Sequence, residues 1–273
     1  MKKALKILAV ALLLAATVVP AQAQRRVIHY LPKYENEPYH FGFLLAYNQM
    51  MYTIKTVEDY QNKEIKYDSS LDKLVPFGLS NARSLTIYNI ETKQTPGFTV
   101  GIVGSKRLGR YFDLRFIPSL SFSDRQLKYD IAIWSQAGGD PDMKYLEKAI
   151  FTTFVEFPLN IKYRSKRYNN IGAYLFGGIN PKLDLATQKK NLITYTNSSG
   201  EEVDLITNFV TKRVDCAAEI GAGFDFYNQW FKMGIEVKMS YGLLDVVKSE
   251  VPIYTTAIDQ LHNKMFQFSF LFE

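Results

Sequence analysis

Apolar and polar residues occupy opposite parities along much of this chain, about ten residues at a time. Between positions 231 and 243, Phe231, Met233, Ile235, Val237, Met239, Tyr241 and Leu243 share one parity, and Lys232, Gly234, Glu236, Lys238, Ser240 and Gly242 the other. A strand shows the same face at every second residue, whereas a helix repeats every 3.6, so this spacing predicts a strand. Segments 112–122, 151–163 and 213–226 follow the rule, with Ile117 the one break in the first. Segments 41–54, 97–106, 171–184 and 264–272 complete an expected set of eight.

The predicted strands run nine residues or more. That length suits a lipid-spanning strand of about nine to eleven residues, whereas a secreted β-sandwich usually uses about five or six. The connections agree, because links two, four and six are brief while 55–96, 127–148, 185–212 and 244–263 read as long loops. Tyr47, Tyr111, Tyr163, Tyr227, Trp230 and Tyr241 fall near predicted strand ends, where interfacial aromatic girdles sit. The expected fold is all-β: an eight-stranded antiparallel up-and-down transmembrane β-barrel spanning 40–273, with short periplasmic turns, long extracellular loops and both termini periplasmic.

Composition narrows the classes further. Residues 1–23 combine Lys2, Lys3 and Lys6, an apolar run too short to span as a helix, and Ala21-Gln22-Ala23, which together read as a cleaved signal peptide. Removing those three lysines from the 33 basic residues leaves 30 against 27 acidic, so a nucleic-acid partner is not supported. One cysteine and three histidines exclude a disulfide scaffold or Cys-rich zinc site, and no cofactor is expected.

Eight strands enclose room for side chains only, so general porin activity is disfavoured. The inward parity collects Arg115, Glu156, Lys162, Arg213, Asp215, Glu219, Glu236 and Lys238, with Asp113, Lys182, Asp184, Asp225 and Lys232. These form either a proton or ion path or a charge-paired plug, and the balance of signs favours the plug. Catalysis needs a base beside a nucleophile. His40 and His262 belong to opposite barrel ends and neither begins a His-x-Ser pattern, so the chain is expected not to be an enzyme. Asp140-Pro141-Asp142 reads as a solvated turn and not a Ca²⁺ loop. Asn197-Ser198-Ser199 is a weak glycosylation acceptor, and Cys216 reads as a small lipid-facing residue.

The final strand places Phe266, Phe268, Phe270 and Phe272 in strict alternation beside the last residue, Glu273. It resembles the C-terminal signal by which barrel assembly machinery recognises outer-membrane clients. An arm, residues 24–39, precedes the first strand. Leu31-Pro32-Lys33-Tyr34, followed by Pro38-Tyr39-His40-Phe41-Gly42-Phe43, resembles the opening of PorT-type outer-membrane proteins of the type IX secretion system. The resemblance implies a role in exporting cargo with C-terminal sorting domains and, in gliding bacteria, in displaying surface adhesins. It implies no catalytic residues. Leu31, Pro32, Lys33, Tyr34, Pro38, Tyr39 and His40 are the candidate contacts for other secretion-system proteins, and outer-membrane lipid is the second expected partner. A surface adhesin or ligand binder working through its long loops is the alternative.

Overall fold

The computed structural model describes residues 28–68, 71, 75, 79, 81–186, 192–196, 202–206, 211–248 and 252–273. The leader and Asn197-Ser198-Ser199 lie outside the described residues. The strands are β1 (Tyr39–Thr56), β2 (Glu64–Lys66), β3 (Ala82–Lys93), β4 (Thr95–Arg107), β5 (Phe112–Phe116), β6 (Ser119–Ser135) and β7 (Asp142–Glu156). They continue with β8 (Leu159–Arg164), β9 (Ile171–Asp184), β10 (Leu192–Thr196), β11 (Glu202–Ile206), β12 (Val214–Tyr227), β13 (Lys232–Gly242) and β14 (Ile258–Phe272).

One sheet holds twelve of them, and β10 and β11 form a separate pair. Within the large sheet β1, β4, β5, β8, β9, β12, β13 and β14 close into an antiparallel ring, sealed by β14 on β1 and by β12 on β9. The strand count exceeds the expected eight because single staves are interrupted. Pro118 separates β5 from β6 and Pro158 separates β7 from β8, since proline has no N–H to give the ladder. β3 and β4 follow each other across Gln94, both facing β6.

Three expected loops are corrected, 185–212 by the paired β10 and β11 within it. Residues 127–148 are strand except for the connection 136–141, and 55–96 contains β2 and β3. The last strand likewise starts at Ile258 and not at 264. The cause is a reversal of amphipathicity within a stave. On β6, Ser119, Ser121, Ser123 and Arg125 point inward and are buried; continuing at the same parity, Leu127, Tyr129 and Ile131 are also buried. Their outward neighbours change in step, from apolar Leu120 and Phe122 to polar Asp124, Gln126, Lys128 and Asp130. Lipid outside with a polar core becomes water outside with an apolar core, so the reversal marks the membrane surface.

Around the belt, Phe41, Phe43, Leu45 and Tyr47 of β1 and Phe98, Val100 and Ile102 of β4 face outward and are exposed. A continuous apolar girdle of this kind is untenable in water and is what hydrocarbon requires. No helix among the described residues is long and apolar enough to cross a membrane, and the spanning elements are strands. Ile117, the one breach of alternation, points inward at the interruption and packs with Leu44, Ala46, Val103 and Leu271.

Candidate functional site: a filled lumen closed at both ends

Inside the belt the lumen is a packed ionic core in two tiers. Nearer the short turns, Arg115 pairs with Glu236 at 2.9 Å, Lys162 with Asp225 at 2.7 Å and Arg164 with Asp113 at 2.7 Å. Two inward aromatics from β9 serve this tier. The Tyr174 hydroxyl donates to Glu236 while Lys162 Nζ stands 3.6 Å from its ring centroid, and the Arg115 guanidinium lies 5.3 Å from that of Phe176. Gly221 and Gly223 make room for them, because a Cβ at either would enter the Phe176 or Tyr174 ring.

Nearer the loops, Lys238 pairs with Glu219 at 2.9 Å, Lys182 with Glu156 at 3.6 Å and Arg125 with Asp184 at 3.0 Å. Asn180 Nδ2 donates to both Glu156 and Glu219, and Asn263 Nδ2 donates to Asp215 at 2.7 Å. Such burial is tolerable only because each charge keeps a partner. Of the expected inward set, Arg115, Glu156, Lys162, Asp215, Glu219, Glu236 and Lys238 are buried in this core. Arg213 is a correction: it is exposed, because it precedes β12, above the height at which neighbouring staves enclose the lumen. Sequence reasoning missed Arg125, Tyr174 and Phe176. The first fell beyond the accepted end of its strand, and the other two break the polar character of the inner face.

The arm closes the turn end. It crosses the opening as a 3-10 turn, Tyr34–Asn36, before entering β1. The Tyr34 ring stacks on His40 with centroids 4.0 Å apart, and its hydroxyl donates to Glu273 Oε2 at 2.8 Å. Lys232 pairs with the same carboxylate and lies 4.9 Å from the Tyr34 ring centroid. Burial, and next the Glu273 charge, push the Tyr34 hydroxyl well above the usual phenol range, which keeps it a donor. Further along the arm, Tyr227 donates to Glu35, and Arg167 reaches the carbonyls of Tyr30 and Leu31.

The candidate contact residues therefore divide. Tyr34 and His40 anchor the arm inward, Leu31 is half-buried, Pro32, Lys33 and Pro38 face solvent, and Tyr39 faces outward from β1. Tyr34→Ala is expected to release the arm and raise tryptic cleavage after Lys33 about ten-fold, the effect of losing about 1–2 kcal/mol of local contacts. Unchanged cleavage would show that the arm is held elsewhere.

The loop end is closed by apolar packing. Leu71, Val75 and Leu79 from the first connection, and Val246, Ile253, Tyr254 and Ala257 from the last, fill the mouth against Leu85, Ile87, Leu127, Tyr129, Ile131 and Leu146. The Tyr129 hydroxyl donates to the Tyr254 carbonyl at 3.1 Å, and burial pushes the Tyr254 hydroxyl up to about 12. The histidines stay apart: His40 lies under the arm, and His262 stacks on Tyr241 at 5.8 Å near the opposite end. Phe266, Phe268, Phe270 and Phe272 face outward from β14, at the seam between β1 and β13.

A closed antiparallel ring with an apolar outer girdle and a polar core is the construction of an outer-membrane β-barrel protein. Residues 21–248 match the family described as outer membrane protein beta-barrel domain, and the chain belongs to that family. The solved structures that align include two at low similarity. Ail, the attachment invasion locus protein of Yersinia pestis, is 10% identical over 86% of this chain and 98% of its own, with a TM-score of 0.32. The N-terminal β-barrel domain of Pseudomonas aeruginosa OprF is 11% identical over 86% and 99%, with a TM-score of 0.28. No curated protein matches the sequence.

Proposed function

We propose that this chain is a non-catalytic outer-membrane component of the type IX secretion system, required for export of cargo with C-terminal sorting domains and acting through protein contacts. One observation carries the reading. The arm bearing the PorT-like motif is latched across the end of a filled barrel, which gives the chain a fixed surface and no conduit. The described part of the arm and Glu273 lie together at the short-turn end, in keeping with a periplasmic placement where secretion partners would meet Pro32, Lys33 and Pro38.

The test deletes the gene and compares the proteins of culture supernatant, cell surface and periplasm, with complementation. Periplasmic retention of sorting-domain cargo, reversed by the complementing copy, is expected; unchanged export overturns the proposal. The double variant Pro32→Ser, Lys33→Glu leaves the Tyr34 anchor in place and is expected to lower export at least several-fold while the barrel folds normally. Full export by that variant would remove the arm as a contact site.

A second reading is favoured by one feature. Strands β3, β6 and β7 continue past the belt around their own apolar core, which makes a rigid platform with Tyr88, Trp134 and Tyr145 exposed. That is the construction expected of an adhesin or ligand binder. Under this reading, substituting Tyr88 and Tyr145 abolishes surface binding and leaves export intact.

A further inference from the structure

Beyond the belt the described residues leave the barrel wall incomplete. β1, β3, β6, β7 and β14 run on, whereas β9 stops at Asp184, β12 begins at Val214 and β13 ends at Gly242. β7 pairs with β6 from Asp142, opposite Ile133, to Glu156, opposite Ser119. On its other side it pairs with β9 only at Phe154, Val155 and Glu156. The Leu185 amide donates to the Thr153 carbonyl at 2.8 Å, so the odd residues of β7 turn their backbone groups away from β6. Among the described residues no strand pairs with Met143, Tyr145, Glu147, Ala149 or Phe151 along that edge. An open edge of this length is a template for another strand.

The register names the strand. Pairs between β7 and β9 sum to 338, as in Phe154 with Asp184. Pairs between β9 and β12 sum to 397, as in Val214 with Leu183, and pairs between β10 and β11 sum to 398, as in Leu192 with Ile206. The β10–β11 hairpin thus continues the β9–β12 ladder with a shift of one residue, the size of a single β-bulge. Leu183 to Leu192 spans nine residues where Val214 to Ile206 spans eight, so the extra residue lies on the β9–β10 side; it raises the first sum to 339 as well and puts Leu192 opposite Glu147, Thr194 opposite Tyr145 and Thr196 opposite Met143. An isolated two-stranded hairpin is at best marginally stable in water, so β10–β11 gains most of its stability by joining a sheet.

We infer that β10 docks antiparallel on the open edge of β7, in the register of β9 shifted by that one residue, and that β10–β11 completes the wall beyond the membrane. The docked hairpin covers the edge that would otherwise recruit a second chain. This inference stands apart from the secretion reading, since it concerns the chain's own surface.

The test is disulfide trapping of the full-length protein in outer-membrane vesicles, with Cys216→Ser as background and diamide as oxidant. Lys144→Cys with Tyr195→Cys occupies a pair without mutual backbone hydrogen bonds, where Cα atoms are about 4.5 Å apart and a disulfide fits. It is expected to close within one chain at least about ten-fold faster than Lys144→Cys with Thr194→Cys, a register error that puts the two thiols on opposite faces. Equal rates, or no closure of the first pair, overturn the inference. A disulfide between two chains overturns it in favour of a second copy on the β7 edge. Hydrogen exchange on the unsubstituted protein gives an independent reading: the Met143, Tyr145 and Glu147 amides are expected to be protected about 100-fold, and Thr194→Pro to remove that protection. Fast exchange in the parent protein also overturns it.

Discussion

Arg115→Met is expected to lower barrel stability by about 3–5 kcal/mol, because it strands the Glu236 carboxylate in the lumen without its partner. Arg115 and Glu236 are 1% and 2% exposed, so water cannot take over the lost ion pair. The Tyr174 hydroxyl still donates to Glu236 in that variant, but a single neutral donor does not replace the lost cation. Urea unfolding in lipid vesicles, followed by tryptophan emission and by heat-modifiable gel mobility, measures the loss. The double variant Arg115→Met, Glu236→Leu is expected to recover most of it, because two apolar groups replace a paired charge at little net expense. A single variant as stable as the parent would show that the lumen is wet enough to solvate a free carboxylate.

Gly42→Val is expected to prevent closure altogether. Gly42 lies on β1 within the lumen parity, and a Cβ built there collides with the Phe272 carbonyl oxygen and crowds the Glu273 side chain. The clash is with backbone at the β1–β14 seam, where Phe43 pairs with Phe272, so no rotamer change relieves it. The observable is the absence of the compact, heat-modifiable species after assembly, against full conversion for the parent. Normal closure by this variant would show that the seam has slack the geometry does not allow.

How far the sequence carried follows from the parity rule. Within the belt one solvent lies on each side of the wall, so alternation located all eight staves and placed Arg115, Glu156, Glu219, Glu236 and Lys238 inside. At the membrane surface the solvents exchange. Leu127, Tyr129 and Ile131 keep the inward parity of Ser121 and Arg125 but carry the opposite polarity, so a test for apolar residues facing out stops short and leaves apparent loop. A test for alternation regardless of sign would have followed β6 to its end. The arm was recognisable as a motif, yet its docking was not legible. Tyr34 meets Glu273 across 239 positions, and no local pattern encodes a contact at that separation.

That contact orders events in time. The site that receives Tyr34 is built from Lys232 and from Glu273, whose amide and carbonyl bond back to Lys232 beside the seam. Until the last strand has zipped between its two neighbours this site does not exist, and an arm threaded early has its Arg167 and Tyr227 contacts but no anchor for Tyr34. Docking therefore reports completion: a protease that cleaves after Lys33 distinguishes a nascent, open barrel from a finished one, and arm protection during assembly should appear after β14 pairs and never before it.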